Sequence, residues 1–135
     1  MTIDDTGTTV PAQAKSTASG RIRVEVGAQR VRVEVGGVVV AESGSPRVLF
    51  ETGLPARYYL PKGDVRMELL EGTDTSTHCP YKGDAEYWSV RVGDRVYADV
   101  AWSYPEPITE ESAGIAGLVA FWNVDLYVDG VLQAG

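Results

Sequence analysis

The chain has 135 residues, a net charge of −7 and one cysteine, which is typical of one globular domain that holds its core without disulfides. Its 19 acidic residues outnumber 12 basic ones, which argues against nucleic-acid binding, because neutralising phosphates needs clustered lysine and arginine. Composition alone specifies no reaction.

The first twenty residues are mostly small or polar and contain almost no large apolar side chains. They lack the basic start and apolar run of a secretory signal, and no stretch approaches the roughly 20 apolar residues of a membrane helix. We therefore expect residues 1–20 to form a flexible tail and residues 21–135 to form a single β domain. We also expect the protein to be cytoplasmic, with no membrane partner.

Two strands are predicted directly after the tail. In Arg21–Val26, and again in Val31–Val35, β-branched residues alternate with arginine and glutamate, which is typical of half-buried strands. The pentapeptide RVEVG occurs in both segments, at Arg23–Gly27 and Arg32–Gly36. Two copies are too few for a repeat protein, so we interpret them as adjacent strands of one sheet.

Tight turns continue along the chain, and three pairs of turn residues predict hairpins: Gly36-Gly37, Gly93-Asp94 and Asp129-Gly130. One short helix is predicted near residues 109–117, where acidic side chains stand near the start and two glycines limit the length. The predicted fold class is all-β, with compact antiparallel sheets connected by hairpins.

Aromatic residues gather in segments that are rich in proline, glycine and polar side chains. Tyr58 and Tyr59 lie in one such segment, Trp88 follows another, and Trp102 and Tyr104 lie in a third. Loops that present rigid aromatics on a β scaffold commonly bind ligands. Alternatively, the rings close the ends of a small barrel and give their polar atoms to neighbouring backbone. The sequence leaves both alternatives open.

His78 and Cys79 suggest a nucleophile, because an imidazole can activate a thiolate. Neighbours in an extended segment point to opposite sides, so the pair needs a turn before Pro80 to touch. Cys79 alternatively packs as a small apolar residue, and Lys82 can offer an ammonium to an anion. One histidine and one cysteine cannot complete a zinc site, and no phosphate-binding glycine motif is present, so we predict neither metal nor cofactor.

Three motifs carry a family resemblance: ETG…P..YY.P at Glu51–Pro61, THCPYKGDAEYW at Thr77–Trp88 and WSYPEP at Trp102–Pro107. From about Val31 to Val131 the chain resembles the bacterial and fungal family called domain of unknown function 427, with the strand at Arg21–Val26 outside the resemblance. The resemblance implies an antiparallel β fold similar to the tent-like folds of methionine sulfoxide reductase B and the cereblon ligand domain. Relatives of that fold often hold zinc on paired CxxC motifs, which this chain lacks. The sheets are expected to be either tent-like, as the resemblance implies, or barrel-like.

The leading functional hypothesis is binding of a small polar or aromatic metabolite between two sheets. The predicted ligand-binding residues are Arg47, Tyr58, Tyr59, His78, Lys82, Trp88, Trp102 and Tyr104. Counting along the strands that flank Gly93-Asp94 predicts that the rings of Trp88 and Trp102 meet at a shared rim. Arg47 alternatively points into solvent or pairs with an acid such as Glu51.

Two further hypotheses stay open. A small metal-independent enzyme would use the same pocket, with His78 as acid or base, or Cys79 as nucleophile, and Lys82 stabilising an anion. An interaction module would instead present a flat aromatic patch to a partner protein. The identity of the ligand and the oligomeric state are not specified by the sequence.

Overall fold

The structure is a computed structural model that describes residues 22–133. The predicted tail lies outside the described residues, so its flexibility stays a prediction. Within residues 22–133 the strands are β1 Ile22–Val26, β2 Val31–Val35, β3 Val38–Ser43, β4 Arg47–Glu51, β5 Arg57–Tyr59, β6 Leu70–Cys79, β7 Gly83–Val92, β8 Arg95–Ser103, β9 Val119–Phe121, β10 Asp125–Val128 and β11 Val131–Leu132. Short 3-10 turns occur at Lys62–Asp64, Met67–Leu69 and Ala113–Ile115. The all-β prediction is confirmed.

The described strands form three antiparallel sheets. Their orders are β1-β4-β5, β11-β10-β2-β3 and β6-β7-β8-β9. None of these sheets closes into a barrel, so the barrel-like alternative is wrong for the described residues. Edge strands therefore exist in each sheet, and the hydrophobic residues are buried by packing one sheet against another.

The two RVEVG strands lie in different sheets, so their prediction as neighbours is wrong. β1 pairs with β4, from Ile22 opposite Glu51 to Val26 opposite Arg47, whereas β2 pairs with β3 and β10. Alternation determines which face of a strand is buried, but it does not determine which strand is the partner. The four residues between β1 and β2 cross from one sheet to the other instead of forming a tight turn.

The three hairpins are confirmed at β2–β3, β7–β8 and β10–β11. The predicted helix near residues 109–117 is wrong in type, because the segment contains only the 3-10 turn Ala113–Ile115. Gly117 ends it with a φ of +72°, a conformation that favours glycine and cannot continue a helix. The described residues contain no helix that is long and apolar enough to cross a membrane.

The β6–β9 sheet lies between two hydrophobic clusters, because its alternate residues point to opposite faces. One face contributes residues such as Val90, Ala101 and Phe121 to a cluster shared with β2 and β3. The other face contributes Tyr87, Trp102 and Ala120, among others, to a cluster shared with β4 and β5. The second cluster contains most of the polar aromatic residues, and it positions the candidate site.

Candidate functional site

Four polar aromatic residues pack together between β5 and the β6–β9 sheet: Tyr59, Tyr87, Trp102 and Tyr104, here called the inner aromatic cluster. The indole Nε1 of Trp102 donates a hydrogen bond to Tyr59 Oη at 3.2 Å, and the two rings meet edge to face with centroids 6.4 Å apart. Tyr87 lies on another side of Trp102, at the same centroid distance. All four residues are buried, so the cluster packs as core.

Burial changes the acidity of the tyrosines in this cluster. Desolvation raises the pKa of Tyr87 to about 12, although the hydrogen bond between the Thr77 and Tyr87 hydroxyls opposes the shift. Desolvation also raises the pKa values of Tyr59 and Tyr104 above their ordinary range. The cause is shared, because a buried phenolate loses the hydration that it has in water. The cluster therefore favours neutral hydroxyls.

This burial predicts a loss of stability in alkaline solution. The folded protein holds the hydroxyl protons of these three tyrosines more tightly than the unfolded chain does. Their contribution to the free energy of unfolding is therefore complete below the ordinary pKa of 10.0 and is lost as the pH rises through about 12. Of the seven tyrosines, we expect these three to ionise only as the protein unfolds. Tyrosinate absorbance and circular dichroism followed together test this. Ionisation of all seven with the fold intact would contradict it.

A buried ion pair lies beside the cluster. Lys82 Nζ is 3.0 Å from Glu51 Oε1, and both side chains are fully or almost fully removed from solvent. The ammonium also lies 5.6 Å from the centroid of the Tyr104 ring, and the Lys82 backbone N–H donates to Cys79 Sγ at 3.3 Å. The lysine is therefore held inside the protein by its backbone and its side chain together.

The local backbone requires glycine directly after Lys82. Gly83 has a φ of +102°, and a Cβ at this position would lie 3.1 Å from the carbonyl oxygen of Glu106 and 3.2 Å from Ile108 Cγ2. Only glycine accepts both the conformation and the close approach. The turn that carries Lys82 is thereby held against the loop that follows β8.

His78 and Cys79 point to opposite faces of β6, as expected for neighbours in a strand. The His78 side chain is 65% exposed, and its Nδ1 lies 2.7 Å from Asp84 Oδ1. Cys79 is fully buried on the other face. No turn brings the two together, so the described geometry does not form an activated thiolate.

The predicted rim contact between Trp88 and Trp102 is wrong. Trp88 is opposite Ala101 and Trp102 is opposite Tyr87, and directly opposed residues share a face of the sheet. The two tryptophans therefore lie on opposite faces. Trp88 packs against the first cluster, where Lys62 Nζ lies 5.4 Å from its ring centroid.

A cleft opens between β5 and the segment that joins β9 to β10. Its volume is about 160 Å³, and its lining includes Ala56, Arg57, Tyr58, Trp122, Asn123 and Gln133. We call it the Arg57 cleft. Its size is close to that of an engineered apolar cavity of about 150 Å³ that binds benzene. The cleft can therefore hold one ring.

Arg57 connects this cleft to the inner aromatic cluster. Its Nη1 donates to the carbonyl oxygen of Phe121 at 2.7 Å, and its Cζ lies 5.7 Å from the Trp102 ring centroid. Its Nε is buried, and no acceptor for it is found among the described residues. Burial lowers the pKa of the guanidinium to about 10. Arg57 thus lines the cleft while its guanidinium lies near the Trp102 ring and donates to the Phe121 carbonyl oxygen.

Comparison with protein families supports the resemblance noted in the sequence. A family model described as "Domain of unknown function (DUF427)" matches residues 23–133. The chain belongs to this family. The match begins within β1, so the exclusion of that strand from the resemblance is wrong. No curated protein matches the chain.

The predicted binding residues of this DUF427 chain occupy several separate places. Tyr58 lines the Arg57 cleft, while Tyr59, Trp102 and Tyr104 lie behind it in the inner aromatic cluster. Lys82 binds Glu51 beside that cluster. The others lie apart: His78 is on the surface, Trp88 is on the opposite face of its sheet, and Arg47 donates from Nη1 to the Gly114 carbonyl oxygen at 3.4 Å.

Sequence reasoning missed the residue that this DUF427 structure singles out. Arg57 stands between Ala56 and the predicted Tyr58, in a segment with two prolines, which is typical of a solvated charge. In residues 22–133, no group of three or more His, Cys, Asp or Glu side chains is placed to hold a metal ion. The polar and aromatic side chains that line the cleft offer one guanidinium, aromatic rings and amides.

Another described cavity differs in charge. It has a volume of about 450 Å³, is more open to solvent, and is lined by Glu25, Gln29, Phe50 and Asp129 among others. Its charged lining residues are both carboxylates, so it would repel an anion. Of these two cavities, the Arg57 cleft is the one with a positively charged lining residue.

Proposed function

We propose that the protein binds a small polar or aromatic molecule in the Arg57 cleft. The observation that carries this proposal is the lining of the cleft, in which one guanidinium, that of Arg57, stands among aromatic and amide side chains. A cation beside aromatic and amide groups in a space of about 160 Å³ suits a small polar or aromatic molecule.

The other walls of the cleft support the same function. Tyr58 and Trp122 offer aromatic surface, while Asn123 and Gln133 offer amide groups. Small-molecule sites typically combine apolar walls with a few polar groups that fix orientation. Trp102 and the Phe121 carbonyl oxygen hold the guanidinium from behind, so the charge is positioned before a ligand enters.

Two parts of the sequence prediction are not tested by this geometry. Cytoplasmic location stays a prediction. The expected lack of nucleic-acid binding also stays a prediction, and the net charge of −7 supports it, because a phosphate backbone is repelled by an acidic protein.

Filling the cleft is expected to abolish binding. Ala56 lines the cleft and is half-buried, so Ala56→Phe places a ring where the ligand would lie. We expect single-ring fragments to bind the wild-type protein in ligand-observed NMR, and Ala56→Phe to weaken their affinity at least tenfold.

Ala98→Phe is the matched control, because Ala98 is exposed on β8 and is not among the cleft residues. It adds the same ring and is expected to leave binding unchanged. If the fragments bind Ala56→Phe as well as the wild-type protein, the cleft is not their site and the proposal fails.

A further inference from the structure

We propose that the protein forms a symmetric dimer in which β1 pairs antiparallel with β1 of a second copy, with Val24 opposite the partner's Val24. The dimer is independent of the proposed function, because the described lining of the Arg57 cleft contains no residue of β1. Three observations carry the dimer: the free backbone edge of β1, the order of its side chains and the exposure of Val26.

One edge of β1 has no strand partner among residues 22–133, since β1 is the outermost strand of the sheet β1-β4-β5. The Gly27 N–H donates to the Pro46 carbonyl oxygen at 2.9 Å, one step beyond the register that places Val26 opposite Arg47. Hydrogen-bonded and non-hydrogen-bonded pairs alternate along an antiparallel ladder. The odd-numbered residues of β1 therefore bond to β4, and the even-numbered residues, centred on Val24, direct their N–H and C=O groups to the free edge.

The sequence of β1 is complementary to itself when two copies run antiparallel. Val24 is the middle residue of the strand, so a two-fold axis at Val24 places Arg23 opposite the partner's Glu25, and Glu25 opposite the partner's Arg23. Opposite charges that face each other across two strands stabilise the pairing, whereas like charges destabilise it. An axis at Arg23 or at Glu25 would oppose like charges. The axis at Val24 also brings the free N–H and C=O groups of the two copies together.

The side chains of β1 are available for such a contact. Val26 is 77% exposed, more than the other exposed large hydrophobic residues of the described chain. Ile22 and Val24 pack in part against the second cluster, so this apolar face is covered up to the point where Val26 continues it. In the dimer Val26 lies opposite the partner's Ile22, while Arg23 and Glu25, with side chains 62% and 53% exposed, meet on the other face.

The other described sheet edges are less suited to pairing with a second copy. β3 is bridged through Ala41 to Val65, and the segments of β5 and β9 are bridged to each other through Leu60 and Val119. β11 has only two residues. The register of β6 shifts after Gly72, and such irregularities hinder the pairing of an edge strand with another chain. β1 keeps one register over all five residues.

The size of the contact determines how the dimer is detected. Five residues from each copy form a smaller contact than a standard interface of about 800 Å² per partner, so we expect a weak, isologous dimer. Sedimentation velocity of the full chain should show monomer at about 10 μM and a rising share of dimer toward about 1 mM. Hydrogen exchange of the Val24 amide should slow over the same range, because the partner then accepts its N–H. A monomer at every concentration would overturn the dimer.

Charge reversal tests the register. Arg23→Glu opposes two glutamates at both symmetry-related pairs, and Glu25→Arg opposes two arginines, so we expect each variant to dimerise at least tenfold more weakly than the wild-type protein. An equal mixture of the two variants opposes unlike charges again and is expected to form a heterodimer. Arg91→Glu and Glu71→Arg are the matched controls, because they make the same changes of net charge at an exposed pair of another sheet. They should leave dimerisation unchanged.

Val24→Pro tests the backbone contact. It removes an N–H that points away from β4, and proline is accepted on an edge strand in that position, so we expect it to abolish the dimer. A dimer with wild-type affinity in the β1 variants would place the interface elsewhere and overturn the assignment. Equal weakening by Arg91→Glu, or failure of the two charge variants to associate when mixed, would also overturn it. If Val24→Pro does not fold, the charge variants still decide.

Discussion

Replacing Lys82 with methionine is expected to destabilise the fold by about 3–5 kcal/mol, because one partner of a buried ion pair is then left without the other. The Glu51 carboxylate, now 3.0 Å from the Lys82 ammonium, would remain almost fully buried. Methionine has a similar length, so the loss reports the charge more than the packing. Urea unfolding at pH 7 measures the change in the free energy of unfolding.

Two further variants make this result interpretable. Adding Glu51→Gln to Lys82→Met also removes the buried negative charge, so we expect the double variant to recover part of the loss. Arg91→Met breaks the exposed pair with Glu71, whose side chains are about half exposed, and should cost at most about 1 kcal/mol. A loss for Lys82→Met as small as that for Arg91→Met would mean that the pair is solvated in solution.

Truncating Trp102 to alanine is expected to cost about 3–5 kcal/mol, the range for a large aromatic residue in a core. The change leaves a cavity among Tyr59, Tyr87 and Tyr104, removes the donor to Tyr59 Oη, and takes away the ring under Arg57. Chemical denaturation followed by far-ultraviolet circular dichroism measures the loss without depending on tryptophan fluorescence.

Trp88→Ala is the matched comparison, since Trp88 is half-buried on the other face of the same sheet. We expect it to destabilise the protein clearly less than Trp102→Ala. The comparison also addresses the alternatives that the sequence leaves open for the aromatic residues. A small loss for Trp102→Ala would indicate a ring on the wall of a pocket, and a large one would indicate a ring that fills the core.

Much of the fold follows from local sequence patterns. Alternation in Val31–Val35 correctly predicts a strand with one buried face, and glycine-containing pairs correctly predict three hairpins. These local patterns do not predict the sheet partners of β1 and β2. The pairing of β2 with β10, for example, joins residues more than ninety positions apart in the chain. Such contacts depend on how whole sheets pack, and no local pattern contains that information.

The wrong prediction that Trp88 and Trp102 meet can be traced to the face of the sheet on which each residue lies. Around the Gly93-Asp94 turn, even-numbered residues of β7 are opposite odd-numbered residues of β8, from Val92 and Arg95 onward. The register shifts between Trp88 and Val90, but by two residues, which preserves this relation, so Trp88 and Trp102, both even, lie on opposite faces. Parity along the two strands, more than distance from the turn, determines which side chains can meet.

The candidate site was only partly predictable. Tyr58 was identified from the density of aromatic residues, and it does line the cleft. The role of Arg57 depends on contacts with Phe121 and Trp102, which are 64 and 45 positions away in the chain. The burial of Lys82 likewise depends on Glu51 from another sheet. Burial of a charge is a property of tertiary packing, so composition around the residue gives no signal of it.

The position of the β6–β9 sheet between two hydrophobic clusters has a consequence for cooperativity. Successive residues of β9 belong to different clusters, with Val119 and Phe121 in one and Ala120 in the other. Loosening one cluster therefore displaces the backbone that supports the second. Two cores that share a sheet in this way cannot melt separately, so heat or denaturant should unfold residues 22–133 in a single all-or-none transition, with the amide hydrogens of β7 and β8 exchanging only when the whole structure opens.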